Sequence, residues 1–394
     1  MKHLTLALGV LALMVCGCSA QYSEKELEKA CINGTLNVFM FGAKGDGVTD
    51  DTQAIQRGID FLDARGGGRL FFPFTPKGYL LASPAREYAD NGRLVRAQLV
   101  LPPGGSNILL EGEMPCIHLH AYQVRLPDSV KDHFSPTTFG MGNSNTLLHS
   151  TWDAPEVTDP EERPWSVIAA PEGDSCNGRF SRTILSMENL EVRVHLDTAK
   201  MYPTTSAAFL KNVSRVNIRN CQFCLDENVG DTYLGKYLLE NPCHTVGLHT
   251  SGDQNDNQVL SNVAVQGFRY GLVLGEHVVA DYLYVHNCEE GIVFHDATHL
   301  SVINHVVAQH NRVIFSTTVT NLFGHPRSRC NVIVGSVNFE SGRRLLPEVS
   351  GLVYGIYDPE NRFHGSLVWH QPWGDGEFPI EGAKNLKVSR FPVP

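Results

Sequence analysis

With 394 residues, 36 glycines, 42% hydrophobic residues and a formal net charge of −10, the chain is long enough for one elongated body or two compact domains. It is too acidic to present the basic groove that nucleic acid requires, and no internal run is long and apolar enough for a membrane-spanning helix. The same excess of acid works against unaided binding of a polyanion, so an acidic glycan would need calcium or a local cluster of Arg and Lys.

At the N-terminus, Lys2 followed by the apolar run Leu4 to Val15 reads as a secretory signal rather than as fold. Val15-Cys16-Gly17-Cys18 resembles a bacterial lipobox. That resemblance implies lipidation of Cys18, a polar tether after it, and an exported lipoprotein on the cell envelope that touches membrane only through its anchor. Cleavage after Ala20, with secretion of a soluble product, is the alternative. Eight cysteines remain beyond the signal, in no disulfide framework, and the isolated Cys221-Cys224 spacing is weak evidence for zinc. They are expected as buried coil fillers.

Asn37 to Pro73 predicts a strand, a glycine turn at Asp46-Gly47, a helix from about Asp51 to Arg65 and a second strand. Thr49 or Asp50 is expected to cap the helix, and Ala54, Ile55, Gly58, Ile59 and Leu62 form one stripe for burial. This segment resembles the opening motif of the pectate lyase superfamily, which includes polygalacturonase-like and rhamnogalacturonase-like enzymes and phage tailspikes. The resemblance implies an all-β, single-stranded right-handed parallel β-helix whose N-terminal helix plugs the open end. The expected layout is a signal peptide at 1–18, a tether at 19–34 and one β-helix domain at 35–394.

From about Ala207 to Phe315 the chain repeats imperfectly. Overlaying the segments that begin at Gly247, Gly271, Gly291 and Val313 puts Leu248, Leu272, Ile292 and Ile314 in one column, Val265, Val285 and Val307 in a second, and Phe268, Cys288 and His310 in a third. The earlier stretch joins through Ile218 and Cys221. The segment Ser129 to Asn177 is expected outside the stack as a groove wall, and the tail from Asn331 as a cap.

Stacked parallel strands lie about 4.8 Å apart, so equivalent residues of adjacent coils become neighbours. Glu276 and Asp296 share a column, which predicts carboxylates about 5 Å apart, the separation of a retaining glycosidase. Asp253 and His277 fall in the next column. By the same overlay Asp226 stands beside His249 and Glu227 beside Thr250. Glu276, Asp296, Asp253, Asp226 and Glu227 are therefore the candidate catalytic carboxylates, and His249, His277, Arg269, Trp152 and Trp369 the candidate sugar contacts. All four tryptophans are expected in loops or tail. His118 and His120 are expected on one strand face, His295 and His299 too far apart along a strand to share a metal; all four read as structural or surface histidines, and no metal site is assigned.

The family's polygalacturonase motifs are absent, so its catalytic residues are not carried over. The reading is an exported carbohydrate-active enzyme, a glycoside hydrolase with paired carboxylates and no required cofactor, whose partner is a polysaccharide or oligosaccharide. The alternatives are a polysaccharide lyase, for which calcium or a basic residue such as Arg269 would be needed, and a non-catalytic glycan-binding β-helix. Homotrimer formation, known for some relatives, is not decided by the sequence.

Overall fold

Two long parallel sheets are wound from one chain in the structure, a computed structural model that describes residues 22–82, 86–90, 93–101, 105–113, 146–150, 165–170, 181–195, 205–211, 213–226, 245–250, 257–295, 299–318, 329–340, 353–370 and 377–390. The first sheet stacks Gly67–Phe72, Asn107–Gly112, Ser181–Glu188, Val213–Asp226, Asn257–Gln266, Val278–His286, Ser301–Gln309, Cys330–Glu340, Phe363–His370 and Asn385–Arg390. The second stacks the strands between them, among which are Thr205–Phe209, Val246–His249, Tyr270–Leu274, Glu290–Phe294, Val313–Ser316 and Tyr354–Asp358. From Thr205–Phe209 onward successive strands alternate between the sheets, and each pair completes one coil. Parallel crossovers of L-residues wind right-handed, which makes the stack a right-handed parallel β-helix.

Its core is a set of columns. Leu248 pairs with Leu272, Leu272 with Ile292, Ile292 with Phe315 and Phe315 with Ile356, all buried between the sheets. Val265 pairs with Val285 and Val285 with Ala308. The expected columns are therefore right as far as Ile292 and Val285, and shift by one residue in the next coil, where Phe315 replaces Ile314 and Ala308 replaces Val307. The third column shifts likewise: His310 takes positive φ like Asn287 and Gly267, and buried Asn311 follows Cys288. Asn311 ties the coils by accepting from the Cys288 amide at 2.9 Å and donating to the Val285 carbonyl at 2.9 Å.

A second ladder bends the first sheet. Asn189, Asn220 and Asn262 all have positive φ, a conformation asparagine tolerates because its side chain bonds locally. Asn262 donates to Asn220 at 3.0 Å and Asn220 to Asn189 at 3.2 Å, so the bend repeats in register.

Helix α1, Glu24–Ile32, lies within the stretch expected as a tether. Ser23 and Glu26 close a capping box on it, and Leu27 and Ala30 join the main core, so the folded body begins before residue 35. Val38–Phe41 is a 3-10 turn and not the expected strand, because Asn37 caps the Phe39 amide. Helix α2, Thr52–Asp63, buries the predicted stripe against Leu70 and its neighbours. The expected Asp50 does accept from the first helical amide, although the cap position itself falls one residue later. Asp51 occupies the cap position but turns its carboxylate back to the Lys44 and Gly45 amides, and Asp50 binds the Thr52 amide at 3.1 Å.

Gly67 leaves α2 at φ +129°, and a Cβ there would lie 2.1 Å from the Asn107 carbonyl oxygen. The next coil's backbone fills that space. Gly67→Ala is expected to cost about 3 kcal/mol through strain and overpacking. A urea-unfolding midpoint equal to that of the parent would contradict this contact.

Two further expectations are corrected. Thr146–Ser150 and Trp165–Ala169, inside the segment expected outside the stack, pair in register with the first and second sheets respectively. The tail is not merely a lid, since its strands continue the parallel stack through Asn385–Arg390. Trp369 belongs to that stack, pairing with Val337 and Arg390. Of the cysteines expected as buried fillers, Cys221, Cys224, Cys288 and Cys330 are buried, Cys31 is half-exposed, and Cys116, Cys176 and Cys243 lie outside the described residues; burial pushes the Cys221 and Cys288 thiols up to about 12.

Candidate functional site

The outer face of the second sheet carries an open cleft of about 270 Å³, lined by Glu289, Glu290, Arg312, Val313, Val353, Tyr354 and Tyr357. Register explains its composition. Tyr270, Glu290, Val313 and Tyr354 occupy one column, and Val293, Ser316 and Tyr357 the parallel one three residues on. Just upstream, Val246, Tyr270, Val273 and Val293 of these columns form an apolar cluster. The cleft begins where Glu290 replaces an apolar ring.

Glu290 is half-buried as a residue, but its carboxyl is packed on nearly all sides. Desolvation pushes its pKa up, and hydrogen bonds from Ser316 and Thr318 oppose that shift without cancelling it. Its neighbour Glu289 bridges two cations, Arg269 Nε at 3.3 Å and Arg312 Nη1 at 3.7 Å. The Arg269 guanidinium also lies 5.3 Å from the Tyr270 ring centre. Tyr354 and Tyr357 present rings 5.2 Å apart, which gives the cleft an aromatic wall with phenol groups. A raised acid, a cation held by one loose ion pair, and two phenols can bind an anionic sugar and move a proton on it.

A second constellation sits at the turn from the second sheet to the first. Glu276 Oε2 lies 2.5 Å from His299 Nδ1, and His277 Nε2 lies 2.9 Å from the same nitrogen. Val279 pairs with Val302, and carrying that register back three residues sets Glu276 opposite His299. His277 has φ +58°, which breaks strand alternation and lets adjacent side chains converge on one partner. His299 was expected to be remote from a shared site because only His295 was considered with it; its neighbours come from the preceding coil.

Of the other expected residues, Asp296, Asp253, Glu227, Trp152 and Cys18 lie outside the described residues, as do His118 and His120. Leu274 pairs with Phe294, the register from which the Glu276 and Asp296 column was read. Asp226 is corrected: its backbone neighbour is His195 in the first sheet, whereas His249 lies in the second. The repeat overlay had merged strands of opposite sheets. His249 is only 1% exposed and meets the Phe209 ring edge-to-face at 4.9 Å, in the outward column that continues through Val273, Val293, Ser316 and Tyr357. Arg269 borders the cleft. Trp369 is corrected too, since its ring stacks on Phe378 at 5.4 Å beneath the Arg390 guanidinium and packs the end of the coil.

The sequence reading missed Glu289, Glu290, Arg312, Tyr354 and Tyr357. The position of Glu290 opposite Tyr270 was available from the overlay. Tyr354 was not, because the segment between Val313 and Tyr354 is about twice the length of the preceding coils.

The stack, with a helix packed on its first coil, gives the chain the fold of a right-handed parallel β-helix. No family model matches it. Among curated proteins it is similar to mannuronan C5-epimerase AlgE5 of Azotobacter vinelandii, 39% identical over 241 residues, which is 60% of this chain and 22% of that protein. Alginate lyase 7 of the same organism is 39% identical over 69 residues, 18% of this chain and 8% of that protein. The chain therefore spans about a fifth or less of the length of these relatives. Among solved structures, the A-module of mannuronan C-5 epimerase AlgE4 of A. vinelandii aligns with 90% of this chain and 96% of its own at 12% identity and a TM-score of 0.38.

Proposed function

We propose that the protein is a carbohydrate-active enzyme that acts on a uronate-bearing polysaccharide by removing the proton next to the sugar carboxylate, as a lyase or an epimerase must. The observation that carries this reading is the cleft in which Arg312, Glu290, Tyr354 and Tyr357 converge. A C5 proton becomes removable only when the adjacent carboxylate is neutralised, because the developing enolate otherwise gathers two negative charges. Arg312 is held by Glu289 at 3.7 Å, a loose pair that a substrate carboxylate can displace. Glu290, with its raised pKa, supplies a neutral carboxyl that donates a hydrogen bond to the same group. One tyrosine, as its phenolate, takes the C5 proton; the other, as the phenol, gives its own proton to C5 from the opposite face in epimerisation or to the departing glycosidic oxygen in elimination. The names of the similar proteins, C5-epimerases and an alginate lyase, agree with chemistry at that carbon and favour it over hydrolysis.

Calcium would be the ion for a lyase of this kind. Among the described residues the one group suited to a metal contains two imidazoles and a carboxylate, which is a poor set for a hard cation that takes six to eight oxygens. No step is assigned to calcium.

Incubation with mannuronan, alginate and pectate in deuterated water tests the reading. The expected result is deuterium at C5, with an ultraviolet-absorbing unsaturated end if the bond is also cleaved. New reducing ends without either signal would show hydrolysis and overturn it. Binding without turnover on every polymer would leave the glycan-binding reading in its place.

A further inference from the structure

We propose that Glu276, His277 and His299 form a binding site for a divalent transition-metal ion of the zinc type. This inference does not depend on the cleft or on the substrate proposed for it. The three ligand atoms lie within 4.8 Å of one another, drawn from two successive coils. Glu276 and His277 approach from the turn before Val278–His286, and His299 from the turn before Ser301–Gln309. The arrangement is buried at one end and open at the other, with the Glu276 side chain 8% exposed and that of His299 60% exposed. Three protein ligands with one solvent-facing position is the layout of a zinc site that keeps a water.

The donor set chooses the metal. Two imidazole nitrogens and one carboxylate oxygen suit zinc and its neighbours and not calcium or magnesium, which take oxygen. Ligands on one tetrahedral zinc stand about 3.3 Å apart, given bonds of about 2.0–2.2 Å. The present separations of 2.9 and 2.5 Å are those of groups sharing protons at His299 Nδ1. On binding, His299 carries its remaining proton on Nε2 and His277 on Nδ1, so both ligating lone pairs face the metal, and the three groups spread by less than about 1 Å. His299, being exposed, has room to move.

The backbone around the site is already fixed. Gln258 Nε2 donates to the Glu276 carbonyl at 3.4 Å and to the Thr250 carbonyl at 3.2 Å. Ser301 Oγ accepts from the Val278 amide at 3.3 Å and donates to the Gly275 carbonyl at 3.4 Å, locking one turn onto the next. Such support orients ligands before the ion arrives. A metal held across this seam would also clamp two coils together.

The full chain, stripped with chelator and titrated with Zn²⁺ by calorimetry, tests the proposal. One ion should bind, and His299→Ala, His277→Ala and Glu276→Gln should each weaken binding beyond the roughly 10–100-fold that loss of a supporting partner costs. Zn²⁺ should raise the melting temperature of the parent and not that of His299→Ala. Because the chain also has cysteines, Co²⁺ should give a tetrahedral spectrum without thiolate charge-transfer bands. Absence of binding, binding unchanged in all three variants, or thiolate bands in the Co²⁺ form would overturn the site. His299 is exposed, so His299→Ala should keep the parent's circular dichroism, and the comparison does not turn on misfolding.

Discussion

Asp358→Ala is expected to destabilise the C-terminal coils by about 3–5 kcal/mol, the cost of opening a buried charged network from one side. Asp358 is 0% exposed. It accepts the Thr317 hydroxyl at 2.7 Å, the Arg362 amide at 2.8 Å and the Phe363 amide at 2.9 Å. Arg362, equally buried, donates to the Thr317 carbonyl at 2.8 Å and the His295 carbonyl at 2.9 Å. One turn thereby ties three coils. Truncation leaves two amides and a hydroxyl without their acceptor, each buried donor costing about 1–3 kcal/mol. In a solenoid each coil leans only on its neighbours, so the damage should stay local. Hydrogen exchange should accelerate across residues 354–390 while the strands around Leu248 remain protected. Uniform protection and an unchanged thermal midpoint would show that the network is dispensable.

The second large effect concerns turnover. Arg312→Ala and Glu290→Ala are each expected to lower kcat on a polyuronate by about 10²–10³-fold, the range seen when one electrostatic stabiliser of a developing anion is removed. Arg312→Lys should recover part of that loss, since charge returns without the forked geometry. Glu290 adds a pH signature. Its folded-state pKa lies above the ordinary carboxylate value, so the neutral form that donates to substrate is lost as pH rises through the raised pKa. Parent activity should fall on that limb, and the activity of Glu290→Gln should not follow it. The stability term has the same sign: the fold holds the Glu290 proton more tightly than the unfolded chain, so this contribution is full below the unfolded pKa and disappears as pH rises through the folded one. Full turnover in both alanine variants would remove the cleft from the mechanism.

How the repeat misled is as informative as where it held. Leu248, Leu272 and Ile292 were assigned to one column from spacing, because a buried column accepts only apolar residues and that constraint is visible in any coil. The next coil is longer, and its extra residues fall between Phe294 and Val302, well before His310: Leu274 pairs with Phe294, but Val279 already pairs with Val302. Extra residues in an outward turn bury no side chain in the core, so they leave no apolar signature and displace every later assignment. The same blindness put Asp226 beside His249. Strands of both sheets have similar inward patterns, and only hydrogen-bond pairing tells one sheet from the other.

Local chemistry settled the plugging helix, the parallel coils and the buried cysteines, since burial of an apolar stripe and the tolerance of Gly and Asn for positive φ operate over a few residues. The winding decided everything that joins distant positions. Glu276 meets His299, and Glu290 meets Tyr354, through registers set by turn lengths and by a long intervening segment. Polar groups on the outside of a coil obey no burial rule that would mark them in advance, so their meeting places became visible only once the strands were paired.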